Sequence, residues 1–248
     1  MDREALIDNN HVVDTVYLKR RVTLFSDHQR DGYCAIVVQA NIEDTRIGVH
    51  YRSEVEQNIE GDADFKNVVP ALQAVFVDSD VKADVDLPAT LSVSGFHQIN
   101  NRWAVVGDYT WTGWSSIPEL RFKFDSLVPD GVTTFDWKDT SRVSLGAIFT
   151  PDNSDWTYRF GVAYDESPIK DAESRSARLP DNDRIWVSIG AGFRPSEKLR
   201  VDVGYAHLFI DDAKIRKTAS GEDRTRGALN GSYKASVDLL SIEAQYQF

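Results

Sequence analysis

The carboxy-terminal stretch, residues 234–248, constrains the fold more than any other part of the chain. Its apolar face is formed by Leu240, Ile242, Ala244, Tyr246 and Phe248, and the face between them by Leu239, Ser241, Glu243, Gln245 and Gln247. This period of two predicts a β-strand that stays half apolar to its last residue. The final strand of a transmembrane β-barrel ends this way, because one face meets lipid and the other a polar lumen. The last strand of a soluble β-sandwich could show the same pattern, so this stretch alone leaves both folds open.

Composition excludes several kinds of partner and site. The 248 residues carry a net charge of −11, which argues against a nucleic-acid partner. The single cysteine, Cys34, excludes an internal disulfide framework. No apolar run of about eighteen residues occurs, so no transmembrane helix is predicted, whereas a barrel strand needs only alternate apolar residues. The acidic run at residues 78–86 lacks the glycine and final glutamate of an EF-hand, and we expect no metal and no cofactor.

Alternating segments from residue 34 onward predict about nine strands, and the connections between them alternate in length. The short connections are residues 42–45, 99–101, 151–154 and 195–198, and the long ones are 56–86, 125–133, 167–181 and 211–233. In an outer-membrane barrel the last strand ends in the periplasm, which places every short connection there and every long one outside. A β-sandwich has no reason to sort its connections in this way, so the pattern favours an all-β, antiparallel transmembrane barrel.

The two faces of these strands differ in character. Aromatic side chains lie on the apolar faces, many near strand ends, as in the girdles of membrane barrels: Trp103, Trp111, Phe149, Trp156, Tyr158, Tyr164, Phe193, Tyr205, Tyr246 and Phe248. The opposite faces carry glycines and charges: Arg46, His50, Arg52, Glu54, Asp108, Arg142, Arg159, Asp165, Arg184, Arg194, Arg200, Asp202 and Glu243. We interpret the second set as the lining of a hydrated lumen in which charges pair across the bore.

The amino-terminal segment does not fit this pattern. Residues 1–30 show no basic segment followed by an apolar core, so no secretory signal is predicted there. The sequence therefore predicts an unassigned segment over residues 1–33 and the barrel over residues 34–248.

Several motifs in order resemble the long-chain fatty acid transporters of the Gram-negative outer membrane. They are RIGVHYRSE at 46–54, DLPA at 86–89, YTWTGW at 109–114, RLPDNDRIW at 178–186, DVGYAH at 202–207 and the YQF ending. The resemblance implies a monomeric, fourteen-stranded barrel, plugged by an amino-terminal hatch, that takes up long-chain fatty acids and other hydrophobic compounds in the outer membrane. It also implies capture of ligand in an apolar groove among extracellular loops, passage through an inner pocket, and sideways exit into the membrane.

The resemblance covers only the carboxy-terminal part of the family. About nine strands cannot close a fourteen-stranded barrel, so we expect an incomplete barrel from a truncated product, without transport of its own. Within residues 68–77, Leu72 and Phe76 are candidates for contacting an acyl chain, although packing on the barrel rim would also explain them. The candidate partners of a ligand carboxylate are the predicted lumen arginines Arg52, Arg142, Arg159 and Arg184, each of which could instead pair with a lumen acid.

Two other functions remain as alternatives. One is a soluble β-sandwich binding module. The other is a lipid hydrolase in a barrel, which would need a serine, a histidine and an acid together on the outer surface. His50, His97 and His207 are available, but no serine-centred motif accompanies them, so we expect no enzyme.

Overall fold

The computed structural model describes residues 3–8, 11–17, 20–26 and 34–248, and its main feature is one antiparallel sheet of twelve strands. The strands, in spatial order, are β1 (Arg3–Asp8), β2 (His11–Tyr17), β3 (Arg20–Ser26), β4 (Cys34–Ile42), β5 (Thr45–Arg52), β8 (Thr90–Gln98), β9 (Trp103–Thr112), β12 (Thr140–Phe149), β13 (Trp156–Asp165), β14 (Arg184–Phe193), β15 (Leu199–Ile210) and β18 (Ser236–Tyr246). Nine of these begin at residue 34 or later, which confirms the predicted count for that part of the chain. No helix in the described residues is both long and apolar enough to cross a membrane.

Strict alternation along each strand separates an outer from an inner face. In β13, Phe160 and Val162 are 50% and 53% exposed on the outer face, while Arg159 and Gly161 lie on the inner face. Neighbouring strands keep the same phase, because Val162 pairs in register with Leu145 and Val187. The result is a continuous apolar outer surface, which is stable in contact with lipid.

Connections between neighbouring strands of the main sheet alternate in length from β4 onward, as predicted. The short ones join β4 to β5, β8 to β9, β12 to β13 and β14 to β15; the long ones span residues 53–89, 113–139, 166–183 and 211–235. We call the end of the sheet that carries the long connections the outer end.

The long connections contain more structure than the sequence predicts. Residues 56–86 were expected to be a loop, but they include β6 (Asn58–Ala63) and β7 (Ser79–Asp84). These strands join β10 (Glu119–Phe124) and β11 (Gly131–Thr134) in a separate sheet ordered β11-β10-β7-β6. The predicted charged loop 211–233 likewise contains a hairpin of β16 (Ala213–Lys217) and β17 (Leu229–Tyr233).

The alternating pattern predicts that Leu120–Phe124 extends the strand of residues 102–114 after a break at Ile117–Pro118, and that the next strand spans about residues 134–149. Both boundaries were wrong. Leu120–Phe124 does not extend β9, because a 3-10 helix at Trp114–Ser116 and Pro118 break the strand and redirect the chain into the small sheet. The strand of the main sheet starts only at Thr140, since residues 131–134 form β11 instead. The other 3-10 helices are Pro70–Leu72 and Gly221–Thr225.

The buried apolar residues lie mostly in the inserts and not in the wall. In the described part of the chain, seven of the nine lie outside the main sheet: Ala83, Ile117, Val128, Phe135, Ile169, Ala213 and Ile215. A β-sandwich would bury one whole face of its strands, whereas Ala104 and Leu208 are the only buried apolar side chains of this sheet among the residues whose burial the structure describes. The packing therefore contradicts the sandwich alternative.

The sheet is open at both sides. Its edge strands are β1 and β18, and no pairing between them occurs among the described residues. Within the segment predicted as unassigned, β1, β2 and β3 extend the sheet beyond β4. The predicted boundary at residue 33 lies outside the described residues.

Candidate functional site

The strand register places all four candidate arginines on the inner face of the sheet. Arg142 on β12 lies opposite Asp165 on β13, and Asp165 lies opposite Arg184 on β14. These three side chains form a row across the sheet near its outer end. Arg159 lies on the same face of β13, further from that end.

A cavity of about 390 Å³ opens above this row, and we call it the upper cavity. Its apolar wall comes from the long connections and consists of Trp114, Trp137, Ile169 and Leu179. The rings of Trp114 and Trp137 meet edge to face at 5.4 Å, and Phe135 stacks on Trp137 at 4.2 Å. Such contacts hold large aromatic side chains in fixed positions, so the wall is preformed. The polar floor includes Arg142, Arg184, Asp165 and Asp181.

A second cavity, of about 560 Å³, lies along the inner face of the sheet, and we call it the lower cavity. Its floor is made of Gly146, Gly161, Gly190 and Gly204. A Cβ at Gly146 would come within 2.8 Å of Val106 Cγ2 and 3.0 Å of the Phe160 carbonyl oxygen, so a larger residue there would displace its neighbours. The glycines thus keep the bore wide at this level.

Arg142 lines both cavities, and it is also the most weakly paired of the candidate arginines. Its Nη2 lies 3.9 Å from Asp108 Oδ1, beyond hydrogen-bond distance, and its side chain is 46% exposed. The guanidinium therefore retains free donors at the junction of the two cavities.

The other three arginines are engaged more closely. Arg159 donates to Asp202 Oδ1 at 2.7 Å. Arg184 Nε and Nη1 each lie 3.2 Å from a carboxylate oxygen, of Asp165 and Asp181 respectively. The first of these contacts lacks the alignment of a hydrogen bond and is an ion pair only. Arg52 donates from Nη2 to the Pro88 carbonyl at 3.3 Å.

Leu72 and Phe76 lie apart from these cavities, and neither they nor Arg52 line the upper or lower cavity. Leu72 ends the 3-10 helix Pro70–Leu72 and is 45% exposed. Phe76 contacts Phe65 edge to face at 5.4 Å, and Phe65 in turn lies 6.2 Å from Phe124 of β10. The structure therefore joins Phe76 to the small sheet and leaves Leu72 available on the outer surface.

Trp137, Ile169 and Leu179 were not predicted as wall residues. None of them lies on an alternating strand, so the signal used to find the faces could not detect them. Leu179 stands near the start of the RLPDNDRIW motif, before β14 begins. Trp137 stands three residues before β12 and could have been noticed as a large aromatic next to a strand end.

The two outward-facing histidines lie on the apolar face. His207 Nδ1 lies 2.7 Å from Asp238 Oδ1, which also accepts from the Tyr205 hydroxyl at 2.6 Å. His97 Nδ1 lies 2.9 Å from the Thr45 hydroxyl. Within the described chain no serine hydroxyl is hydrogen-bonded to His207, so the acid–histidine pair lacks the nucleophile contact of a hydrolase.

Comparison with known proteins identifies the family. The sequence model of the family described as outer membrane protein transport protein (OMPP1/FadL/TodX) matches residues 24–248. The chain belongs to this family. Its relatives include outer membrane protein P1 of Haemophilus influenzae, with 32% identity over 88% of this chain and 47% of that protein. The long-chain fatty acid transport protein of Escherichia coli O6:H1 is 32% identical over 74% of this chain and 43% of its own length. The chain thus spans about half the length of the relatives it matches.

Solved structures share the fold. A FadL homologue of Pseudomonas aeruginosa matches with a TM-score of 0.75 at 22% identity, over 97% of this chain and 56% of that one. The toluene transporter TbuX of Ralstonia pickettii matches with a TM-score of 0.55 at 18% identity, over 95% and 50%. The predicted family, the barrel fold and the outer-membrane location are confirmed. The relatives and structures named for an activity here are transporters and not enzymes.

Proposed function

We propose that this chain forms part of an outer-membrane barrel that carries hydrophobic compounds, and that long-chain fatty acids are among them. Family membership supports transport of hydrophobic compounds. The names of the relatives and structural neighbours cover both fatty acids and toluene, so these proteins share apolar cargo, and their names do not select one ligand.

The observation that favours a fatty acid is the position of Arg142 below the apolar wall of the upper cavity. A fatty acid combines an apolar tail with one carboxylate. Trp114, Trp137 and Ile169 offer the tail a surface that excludes water, and the weakly paired guanidinium offers the carboxylate two parallel donors. A neutral hydrocarbon would use the wall alone.

The remaining arginines support the bore. Because Arg159 and Arg184 each hold a carboxylate within 3.2 Å, a ligand that displaced either would leave that carboxylate unpaired. We propose that they keep the inner face ordered, and that Arg142 alone among the four candidates binds the ligand carboxylate.

The test compares a fatty acid with the alcohol of equal length on the chain refolded in detergent. Arg142→Gln should weaken binding of the acid on the order of tenfold and leave the alcohol unchanged, since only the acid uses the charge. Arg216→Gln is a matched control, because Arg216 is paired with Glu173 at 2.9 Å on the outer hairpin. If Arg142→Gln weakens both ligands equally, the carboxylate assignment is wrong while transport of apolar cargo stands.

The open edges of the sheet carry a second proposal, that further strands pair with β1 and β18 in the working protein. Unpaired backbone groups in lipid cost several kcal/mol each, so an open sheet is not stable in a membrane. We therefore propose that the chain alone does not transport. Uptake of a fluorescent fatty acid by cells that make only this chain, in a strain without its own transporter, would contradict this.

A further inference from the structure

Two rows of inner-face side chains carry no charge where they cross β12, β13, β14, β15 and β18. The register places these residues side by side in the first row: Ser144, Ala163, Trp186, Leu208 and Val237. The second row, further from the outer end, consists of Gly146, Gly161, Ser188, Ala206 and Leu239. We call these two rows the uncharged band. Charged side chains border it on both sides, with Arg142 and Arg184 nearer the outer end and Arg159 on the other side.

The end of the uncharged band on β18 is apolar and exposed. Val237 is 37% exposed and Leu239 is 45% exposed, although both lie on the inner face. Water in a bore gives no reason to place two large apolar side chains there, because their exposure to water is unfavourable. An apolar occupant of the band would remove this surface from water.

The lower cavity connects Arg142 to the uncharged band. It is the larger of the two cavities, at about 560 Å³ against 390 Å³, and its lining runs from Arg142 on β12 to Ser241 on β18. Neighbouring strands lie about 4.8 Å apart, so the four spacings from β12 to β18 give about 19 Å, the extended length of about sixteen singly bonded carbons. Because Arg142 also lines the upper cavity, a carboxylate can stay on its guanidinium while the tail turns from the upper wall into the band.

We propose that the uncharged band holds the acyl tail of a fatty acid whose carboxylate is bound by Arg142, and that the length of the band selects the chain length. This inference rests on the proposed function. The tail lies across the strands, where each further carbon up to about the sixteenth gains contact with the band. A shift of the tail toward Arg159 would remove water from a charged side chain, so the flanking charges keep the tail in the band.

The experiment fills the band at two distances from Arg142. Ser188→Leu places a larger side chain two strand spacings from β12, about 10 Å or eight carbons away, and Ala206→Leu places one three spacings away, about 14 Å or twelve carbons. Saturated acids of about eight, twelve and sixteen carbons, chosen to match these distances, are titrated onto the chain refolded in detergent. Each acid is compared between variant and unmodified chain, so that its partition into the micelle cancels.

Ser188→Leu should weaken binding of the two longer acids at least tenfold and leave the shortest unchanged, because only the longer tails extend past β14. Ala206→Leu should weaken only the longest acid. Retained binding of the shortest acid shows that each variant is folded. If both variants leave every acid unchanged, the band is covered by protein from the rest of the barrel and the proposal is wrong. Equal weakening of all three acids by both variants also overturns it.

A pair of adjacent residues on β18 provides a matched control. Leu239→Gln makes the end of the band polar and should weaken only the longest acid. Leu240→Gln makes the same change on the outer face, where Leu240 is 72% exposed, and should leave the ratio of affinities for the longest and shortest acids unchanged. If Arg142→Gln does not weaken the acids, the proposed function fails and the band fails with it. If Arg142→Gln weakens them but Ser188→Leu and Ala206→Leu do not discriminate by length, only the band is wrong.

Discussion

Asp165 lies directly opposite Arg142 in the register of β12 and β13, yet its carboxylate pairs with Arg184 on the next strand. The partner of Asp165 therefore determines whether Arg142 is free. Substitutions of Asp165 and Arg184 should therefore change the proposed binding of a fatty-acid carboxylate by Arg142.

Arg184→Gln should weaken fatty-acid binding although Arg184 itself is not the proposed ligand contact. Without Arg184, the Asp165 carboxylate can turn to Arg142 and compete with the ligand. The loss should be on the order of tenfold. Adding Asp165→Asn in the same chain should restore binding, because the competing charge is gone. Fluorescence titration with a fatty acid measures both, and failure of the double variant to recover would mean that Arg184 contacts the ligand directly.

Asp202→Asn should destabilise the barrel wall. Asp202 accepts from Arg159 at 2.7 Å and from Arg200 at 2.5 Å, so its neutralisation leaves two guanidinium groups on the inner face without their shared partner. We expect a loss of about 1 to 3 kcal/mol in the free energy of unfolding. The measurement is urea unfolding in detergent, followed by tryptophan fluorescence. Asp152→Asn, which removes an exposed partner 3.6 Å from Arg102, should change stability by less than about 0.5 kcal/mol.

Protonation of Asp171 should loosen the connection at residues 166–183. Hydrogen bonds from the Ser174 backbone N–H and then its hydroxyl lower the pKa of the Asp171 carboxyl below its ordinary value of 3.8. Because the folded-state pKa is the lower one, this contribution to stability is complete above the unfolded value and disappears as the pH falls through the folded value. Cleavage in this connection by pepsin should therefore rise steeply below pH 3.8. In Asp171→Asn the same rise should be absent, and an unchanged rise would show that another group controls the loop.

Leu72→Ser should reduce uptake of hydrophobic ligand by the complete transporter without loss of stability. Leu72 is exposed on the outer surface, so its replacement opens no cavity, whereas it is a candidate for first contact with an acyl chain. Phe76→Ser should differ, because Phe76 packs on Phe65 and its loss should destabilise the small sheet. Uptake rates together with proteolysis of the inserts separate the two effects. Normal uptake in Leu72→Ser removes this segment from ligand capture.

The open sheet makes a prediction about gel mobility. Closed outer-membrane barrels stay compact in detergent until boiled. If β1 and β18 need further strands, the chain refolded alone should show no mobility shift on boiling, because open edges leave hydrogen bonds unmade in the micelle. The strands of a longer relative that have no counterpart in this chain could be added as a separate polypeptide. Their addition should produce a mobility shift on boiling. A shift in the chain alone would show that it closes by itself or with copies of itself.

The wall could be predicted from sequence because its signal is local. Alternation around Phe160 and Val162 fixes the outer face, and the lengths of the connections fix which end of each strand faces outside. The inserts could not be predicted in the same way. β6 pairs with β7 across a stretch that holds a 3-10 helix, and β7 then pairs with β10 from another connection. Such pairings depend on contacts between distant segments, for which the short, acidic sequence of β6 gives no periodic signal.

The sequence alone also could not show which of the four candidate arginines is free to bind a ligand. Arg142, Arg159 and Arg184 all lie on the inner face of strands with an alternating sequence. Only the register shows which carboxylate each of them can reach. The wall of the upper cavity needed still more information, since Trp114 and Trp137 meet Leu179 only after two connections, 113–139 and 166–183, fold over the sheet.

The buried apolar side chains lie mostly in the inserts and not in the wall. The two parts of the molecule are therefore stabilised in different ways. The wall is held by strand-to-strand hydrogen bonds and by the detergent or lipid around it, whereas the outer layer is held by a water-excluding core around Ile169, Ala213 and Ile215. Urea weakens the hydrophobic core of the outer layer directly, whereas it affects the strand-to-strand hydrogen bonds of the wall only through the micelle. The outer layer should consequently melt on its own while the membrane sheet stays paired, so that the proposed recognition of ligand outside the cell and its proposed passage through the bore can fail, and be altered, independently of one another.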